Sequence, residues 1–502
     1  AKDLPGYTLL IEINTEETSS VSGIKFGTSG LRAHNSLLTD KVCYEFATAF
    51  LQHLKTTNKI AEASLVVIAG DYRANTDHIL NVIAKAITDL GYIAEYVGKI
   101  PTPALAYYSQ INQAPGIMVT GSHIPADMNG IKFYTQDGEI TKADEKGILS
   151  QIASIDTHLF DETGSLQESD LPSLPLTFEA INAFTNRYLT FFPENALADM
   201  RVGIYKHSSV AADILGDVLH KLGAEVIIFG ETEHFYSVDT ESLTLSDKQI
   251  VSHHITVDNL DVVVSTDGDA DRPLLSDENG QWIHGDILGL LTAIILSAKY
   301  VVTPISSNAS VERVNLFKQV IRTKIGSPFV IEKMEELKLK DPSSIIGYEA
   351  NGGVLLGSNF KMDSRELLAL PTRDSFIPIL SILSYVNQHK IKLSELVKKY
   401  SLSFTDSSSI KGIAIEKTNE LFSLLAENSN VEHNLQKFFN LNQTIEKVDY
   451  TDGLRAYLAD NSVIHLRGSG NAPELRCYTE ATTKTQATAL NEHVMTKIRA
   501  WS

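Results

Sequence analysis

Between Ser265 and Leu275 the chain reads STDGDADRPLL, with Asp267, Asp269 and Asp271 at alternate positions straight after the apolar run LDVVV, and Arg272 next. Alternate spacing on a loop or strand end lets three carboxylates turn toward one cation. An all-oxygen donor set suits a hard divalent ion, Mg²⁺ ahead of Zn²⁺, and the ion would relieve their mutual repulsion. An EF-hand calcium loop starts with the same alternation, but it needs glycine at its sixth position, where this chain has Arg272. A solvated acidic turn is the bland alternative, and the apolar run in front of it favours a site at a strand end.

Three further loops carry chemistry. In VTGSHIPADMNGIKFY, Val119 to Tyr134, the run GIMVT delivers Ser122 to the carboxyl end of a strand, where open α/β sheets place ligands. A serine there is a nucleophile, a phosphate carrier, or simply a helix N-cap. His123 and Lys132 are nearby candidates for proton transfer. No Gly-x-Ser-x-Gly elbow surrounds Ser122, so acyl chemistry is disfavoured. GYEANGGVLLGS sets Glu349 and Asn351 among glycines, including Gly352, and suits sugar hydroxyls; surface turns of this composition are also common. HLRGSGNAPELRCY carries Arg467, Ser469, Gly470, Asn471 and Arg476, able to gather around a phosphate or to form a plain hairpin; the two arginines favour an anion site.

The elements that must position these loops alternate. SLVVIAG, HILNVIAKAITDLG and YIAEYVG read as strand, helix and strand, and RVGIY, AADILGDVLHKLG and AEVIIFG repeat the phrase. VVTPISS, a helix after SNAS, and SSIIGYE give a third version. Such alternation predicts parallel sheets with crossover helices, in similar α/β units in series. The tail differs: IKGIAIEK, the stretch from Asn442 to Gly470, and APELRCYTEA read as strands, with a helix over Thr483 to Ala500, an α+β unit. Linkers are expected at Glu162 to Phe178, near Ser297 to Tyr300, and at Ser403 to Ser409.

With 502 residues, 43% hydrophobic and 21% charged, the chain has material for several cores. A formal net charge of −19 argues against nucleic-acid and anionic-membrane partners. Cys43 and Cys477, the two cysteines, lie in apolar or aromatic settings and imply no disulfide framework or cysteine metal site. No stretch has the order of a signal peptide or the length of a membrane span, so a soluble, cytoplasmic protein is expected.

In order along the chain, GTSGLR (Gly27 to Arg32), the serine loop ending in NGIKFY, DGDADR, the glutamate loop and RGSGNAPELR resemble the α-D-phosphohexomutase superfamily over nearly the whole sequence. The resemblance implies three similar mixed α/β domains and a smaller C-terminal α+β domain around a central cleft. These are a phosphoserine-loop domain over 1–185, a metal-loop domain over 186–297, a sugar-loop domain over 298–405 and a phosphate-binding domain over 406–502. It implies an enzyme that interconverts hexose 1-phosphate and hexose 6-phosphate through a phosphoserine and a 1,6-bisphosphate. Ser122 would carry the phosphoryl group and join Asp267, Asp269 and Asp271 around Mg²⁺. Arg32 and Arg272 would position the phosphoryl group, and Lys132 would act as general acid/base with His123 beside it. Lys324 in RTKIGSPF would reach the substrate. Glu349, Asn351 and Gly352 would meet the sugar, and Arg467, Ser469, Gly470, Asn471 and Arg476 the non-reacting phosphate. The implied partners are a small sugar phosphate and an activating hexose 1,6-bisphosphate, in a monomer or homodimer.

The chain departs from the common pattern in places. TGSHIP stands where the family commonly has alanine before the serine and Asn-Pro after the histidine. Where many members read Glu-x-Ser-Gly-His, it has Glu349-Ala350-Asn351-Gly352-Gly353, and Asn471-Ala472-Pro473 replaces a frequent Thr-Glu-Pro. The loops are most similar to a bacterial phosphomannomutase subgroup, ahead of phosphoglucomutase and then phosphoglucosamine mutase. Two rivals differ in class. A non-catalytic sugar-phosphate binder would not need Ser122, Lys132 and all three aspartates, and a Mg²⁺-dependent phosphatase using Asp267 as nucleophile would not need Ser122.

Overall fold

A computed structural model describes residues 10–27, 29–167, 171–468 and 473–501. Its first three sheets share one topology. In the first, Leu65–Gly70, Ile93–Lys99 and Gly116–Val119 are parallel, and Met128–Thr135 lies antiparallel beside the third. The second repeats this with Arg201–His207, Glu225–Glu231 and Val262–Thr266, then Pro273–Ser276 antiparallel. The third does so with Tyr300–Pro304, Gln319–Thr323 and Ile345–Tyr348, then Val354–Leu356 antiparallel, with Leu370–Asp374 added beyond it. In each sheet the first strand lies between the second and the third.

The central strands are buried on both faces, which is why they read as unbroken apolar runs such as VVVST and IIGY. The crossover helices cover them. Thr76–Asp89 follows the first strand, and Leu245–Val257 opens on a capping box in which Thr244 and Asp247 bond reciprocally. In the third unit the helix after SNAS is a single turn, Ser310–Arg313. The longer crossover is Ser327–Lys340, preceded by the strand Gln319–Thr323; SSIIGYE is therefore the third strand of this unit, not its second. The intervening strand is only partly buried at the sheet edge, and its sequence, QVIRT, lacks the apolar signal.

The C-terminal sheet is antiparallel, in the order Phe404–Lys411, Glu474–Ala481, Val463–Gly468, Leu454–Leu458, Ile445–Asp449. The expected linker at Ser403 to Ser409 is thus mostly edge strand. Its polar run is tolerated because an edge strand of an antiparallel sheet can face water. IKGIAIEK is not one strand either: the strand stops at Lys411 and a helix, Ile415–Leu425, begins. Val431–Phe438 and Lys484–Trp501 complete the helical cover.

One core runs through all three α/β units, from Val67 through Leu215 and Leu291 to Phe376. The fourth unit has its own core, built from residues such as Leu421, Leu466, Cys477 and Ile498. Among the described residues no helix is long and apolar enough to cross a membrane.

Candidate active site

The three chemical loops occupy one topological position. Each is the turn from the third parallel strand into the antiparallel fourth: Thr120 to Asp127, Asp267 to Arg272, and Glu349 to Gly353.

In the first turn, Ser122 is fully buried and has φ 56, the left-handed region that costs a non-glycine residue about 1–2 kcal/mol. The surroundings impose it. Ser122 N–H bonds Thr120 Oγ1 at 2.8 Å, and Thr120 Oγ1 donates to Asp71 Oδ2 at 2.7 Å. Arg73, 2% exposed, donates through Nη2 to the carbonyls of Ser122 (2.9 Å) and Ile124 (2.7 Å). Its Nη1 donates to those of Pro125 (2.6 Å) and Met128 (2.9 Å), and Nε pairs with Asp71 at 3.2 Å. A Cβ at Gly121 would lie 2.5 Å from Arg73 Cζ, so the glycine in TGSHIP leaves room for this clamp. Asp71 and Arg73 were not among the expected site residues. Their signal was positional, since GDYR directly follows the strand SLVVIAG.

Ser122 Oγ donates to Asp267 Oδ2 at 2.8 Å. Asp267, Asp269 and Asp271 are buried and can each offer an oxygen within 4.8 Å of the others. Lys132 Nζ donates to Asp269 Oδ2 at 2.7 Å and to Asp271 Oδ2 at 3.1 Å. Thr102 Oγ1 adds a bond to Asp269 Oδ2 at 2.6 Å. Arg373 holds Asp271 Oδ2 through Nε at 3.0 Å and Nη2 at 2.9 Å, while its Nη1 reaches Glu349 Oε2 at 3.2 Å. Asp269 Oδ1 and Asp271 Oδ1 are buried without a hydrogen-bond partner. Two orphaned carboxylate oxygens in an all-oxygen cluster fit a hard divalent cation.

Charge is unevenly shared. Burial and the neighbouring Asp269 and Asp271 push the Asp267 carboxyl well above its usual range. Burial would raise Asp271 too, but Arg373, Lys132 and Arg272 outweigh it and hold it well below that range. Burial alone would lower Lys132; Asp269 and Asp271 outweigh it and raise the ammonium above its usual range. Burial, with Arg272 and Arg32, pushes His123 down to about 3, so its imidazole is neutral at physiological pH. Arg32 is itself pushed down to about 10 by burial, Arg272 and Arg373. Cations converging at this depth suit a phosphate dianion. Arg272 closes its own loop: its N–H bonds Asp267 Oδ1 at 3.1 Å, and its carbonyl accepts from Asp267 N–H.

Glu349 and Asn351 are buried. Asn351 Oδ1 accepts from Gly353 N–H at 2.9 Å, so its acceptor serves the turn itself. Gly352 N–H bonds Glu349 O at 3.0 Å. Lys324 lies 5.9 Å from the centre of the Phe329 ring, and the next residue, Ile325, donates its N–H to Asp452 Oδ2 at 3.2 Å. Asp452 Oδ1 in turn holds Arg467 Nε at 2.9 Å, tying the Lys324 turn to the fourth unit. Arg467 lies opposite Arg476 across two strands and lines a cavity of about 320 Å³ with Asn419, Asp452 and Glu474. Ser469, Gly470 and Asn471 lie outside the described residues. Among the described residues no hydrogen bond joins Lys324 or Arg467 to Asp267, Asp269 or Asp271. Thr102 and Arg373 were also unanticipated; each stands near a strand end, Thr102 after YIAEYVGKIP and Arg373 in LALPTRD.

Four models of the phosphoglucomutase/phosphomannomutase family match the chain in order: alpha/beta/alpha domain I over residues 23–159, domain II over 181–280, domain III over 284–402 and the C-terminal domain over 417–497. A phosphomannomutase of Salmonella muenchen is 39% identical over 97% of this chain and 98% of its own. A phosphomannomutase of Sinorhizobium fredii is 40% identical over 91% and 95%. The crystal structure of a phosphoglucomutase/phosphomannomutase family protein from Burkholderia thailandensis superposes with a TM-score of 0.69 at 17% identity, covering 94% of this chain and 97% of that one.

Proposed function

The chain belongs to the phosphoglucomutase/phosphomannomutase family and is a phosphohexomutase enzyme, and from that membership we propose that it interconverts mannose 6-phosphate and mannose 1-phosphate by way of phosphorylated Ser122. The observation that carries the reading is Ser122 Oγ seated 2.8 Å from Asp267 in a cluster with two unpartnered carboxylate oxygens. A phosphatase built on Asp267 would have no use for a serine held there in a strained backbone.

Asp267, Asp269, Asp271 and a Ser122 phosphate oxygen would hold Mg²⁺, which when bound supplies positive charge against the phosphoryl group. In the forward half, the P–O bond to Ser122 breaks as a bond forms to the free sugar hydroxyl, whose proton passes to the protein. That gives a 1,6-bisphosphate while the freed Ser122 oxygen takes up a proton; after the bisphosphate turns over, its other P–O bond to the sugar breaks as a bond forms to Ser122 Oγ, which gives up its proton, and the released sugar oxygen takes one back. Lys132, charged, and His123, neutral, supply a donor and an acceptor beside the reacting oxygen, the pairing that acid/base exchange needs. Arg32 and Arg272 steady the phosphoryl group. Glu349 and the Asn351–Gly352 turn face the sugar, with Lys324 reaching it. Arg467 and Arg476, with Ser469, Gly470 and Asn471, hold the phosphate that does not react. The segments 1–185, 186–297, 298–405 and 406–502 act as four domains lending one loop each, in a cytoplasmic monomer or homodimer.

The test compares turnover of mannose, glucose and glucosamine 1-phosphates with Mg²⁺ and the matching bisphosphate. Mannose 1-phosphate is expected to be preferred. Ser122→Ala is expected to lose nearly all activity and to remove a phosphate visible on the native protein by intact-mass measurement. Full turnover by that variant would sink the phosphoserine route.

A further inference from the structure

Arg373 joins two of the loops. It stands in the strand Leu370–Asp374, paired with the strand that leaves the sugar loop, and its buried guanidinium holds carboxylates of two units at once: Asp271 of the aspartate loop and Glu349 of the sugar loop. The contacts use different edges of the fork, Nε and Nη2 toward Asp271 and Nη1 toward Glu349. Nε makes the hydrogen bond to Asp271 Oδ2, Nη2 lies within ion-pair distance of the same oxygen without hydrogen-bond geometry, and Oδ1 is left without a hydrogen-bond partner. The side chain fits because of what is missing across from it. A Cβ at Gly353 would lie 2.6 Å from both Cγ and Cδ of Arg373 and 2.9 Å from its Cβ. Gly353 is not among the positive-φ residues, so space and not backbone conformation is what the glycine supplies. A side chain at 353 would press on the stem of Arg373, which would have to shift to admit it.

We propose that Arg373 is a positioning residue that fixes the sugar loop in register with the phosphoryl-transfer loop, in space opened by Gly353. The inference rests on the mutase reading above. A guanidinium has the planar fork needed to hold two carboxylates in fixed directions, whereas a lysine ammonium is a single point charge. The sugar hydroxyl accepting the phosphoryl group must be placed to within about 1 Å, and misplacement on that scale costs about 100-fold in rate. Loss of Arg373 should therefore fall on kcat more than on binding, since the sugar phosphate keeps its other contacts.

Four variants test this: Arg373→Ala, Arg373→Lys, Gly353→Ala, and Gly353→Ala combined with Arg373→Ala. Each is measured for kcat at saturating Mg²⁺ and bisphosphate, for calorimetric affinity of the Mg²⁺-free protein toward mannose 6-phosphate, and for melting temperature. The expected result is a loss of about 100-fold in kcat for both Arg373 variants, with affinity within about threefold of the parent. Gly353→Ala should reproduce the loss, and the double variant should be no worse than Arg373→Ala alone. Parent-like kcat in Arg373→Lys would show that charge alone suffices and would overturn the proposal; so would parent-like kcat in Gly353→Ala. Should Arg373→Ala fail to fold, those two variants still decide. An unmodified protein inactive on every hexose phosphate would overturn the mutase reading and this inference with it. An active one with unimpaired variants overturns the inference alone.

Discussion

Ser122 is held by a residue that never touches its hydroxyl. Arg73 binds four carbonyls of the serine turn, those of Ser122, Ile124, Pro125 and Met128, and an aspartate, and its guanidinium also lies 4.2 Å from the centre of the Phe235 ring, reaching into the second unit. Its partner Asp71 has no solvent access and accepts further bonds from Thr120 and Thr76. Breaking such a buried pair from one side leaves an uncompensated charge and typically costs about 3–5 kcal/mol. Arg73→Ala is expected to lose stability on that scale in denaturant unfolding. What remains folded should turn over slowly, because Ser122 is then free to leave its left-handed conformation. A variant as stable and as active as the parent would show that the turn holds itself.

Between elements, the aspartate loop is gripped from the first unit as well as its own. The helix Thr102–Ile111 begins at Thr102, whose N–H bonds Asp269 O at 2.9 Å and whose Oγ1 bonds Asp269 Oδ2 at 2.6 Å. A carboxylate at a helix N-terminus also gains from the helix dipole. Thr102→Val keeps the shape and removes one charge-assisted bond, worth about 1.5–3 kcal/mol. Mg²⁺ binding by calorimetry should weaken about tenfold, and an unchanged isotherm would refute the grip. The long buried strands and the loops they deliver were legible in the sequence because apolar runs end abruptly at DGDADR, TGSH and GYEANGG. What escaped were partners supplied across the fold. Thr102, Arg73 and Arg373 are ordinary residues locally and acquire their roles only when separate sheets meet. QVIRT and TDSSS escaped for the opposite reason: edge strands carry no continuous apolar run, so they resemble loops.

At the scale of the molecule, three units share a core and the fourth stands apart on its own. Its junction with the third is polar and buried: Glu480 accepts from Ala309 N–H at 2.9 Å and Ser403 Oγ at 3.1 Å, and Asn308 Nδ2 reaches Thr405 Oγ1 at 2.9 Å, while within the fourth unit Glu480 also takes Arg455 at 2.8 Å. Together with the Ile325–Asp452 bond, these are directional polar contacts between separate cores, the kind of junction about which one unit could pivot as a bisphosphate turned over. Glu480→Gln keeps the volume but leaves Arg455 unpaired at zero exposure. Calorimetry should then show the fourth unit melting ahead of the rest, where the parent melts as one; a single unshifted transition would contradict the hinge. Acid should act on the same molecule in a defined window. Burial pushes His207 in the second unit and His465 in the fourth down to about 4, the latter helped by Arg455. Both are neutral when folded, while the unfolded chain takes up their protons from about pH 6.5 downward. The stability they contribute is therefore complete above that pH and is lost as pH falls toward 4. Asp144 behaves differently: burial opposes its ionisation, yet bonds from His53 and Thr141 hold it down to about 2, so its contribution fades only below about pH 4. Melting temperatures should accordingly fall between about pH 6.5 and 4, before carboxylates of this kind begin to protonate. His207→Gln should flatten that slope relative to the parent without moving the loss below pH 4, and a variant that keeps the parent's slope would show that His207 is not held neutral by the fold.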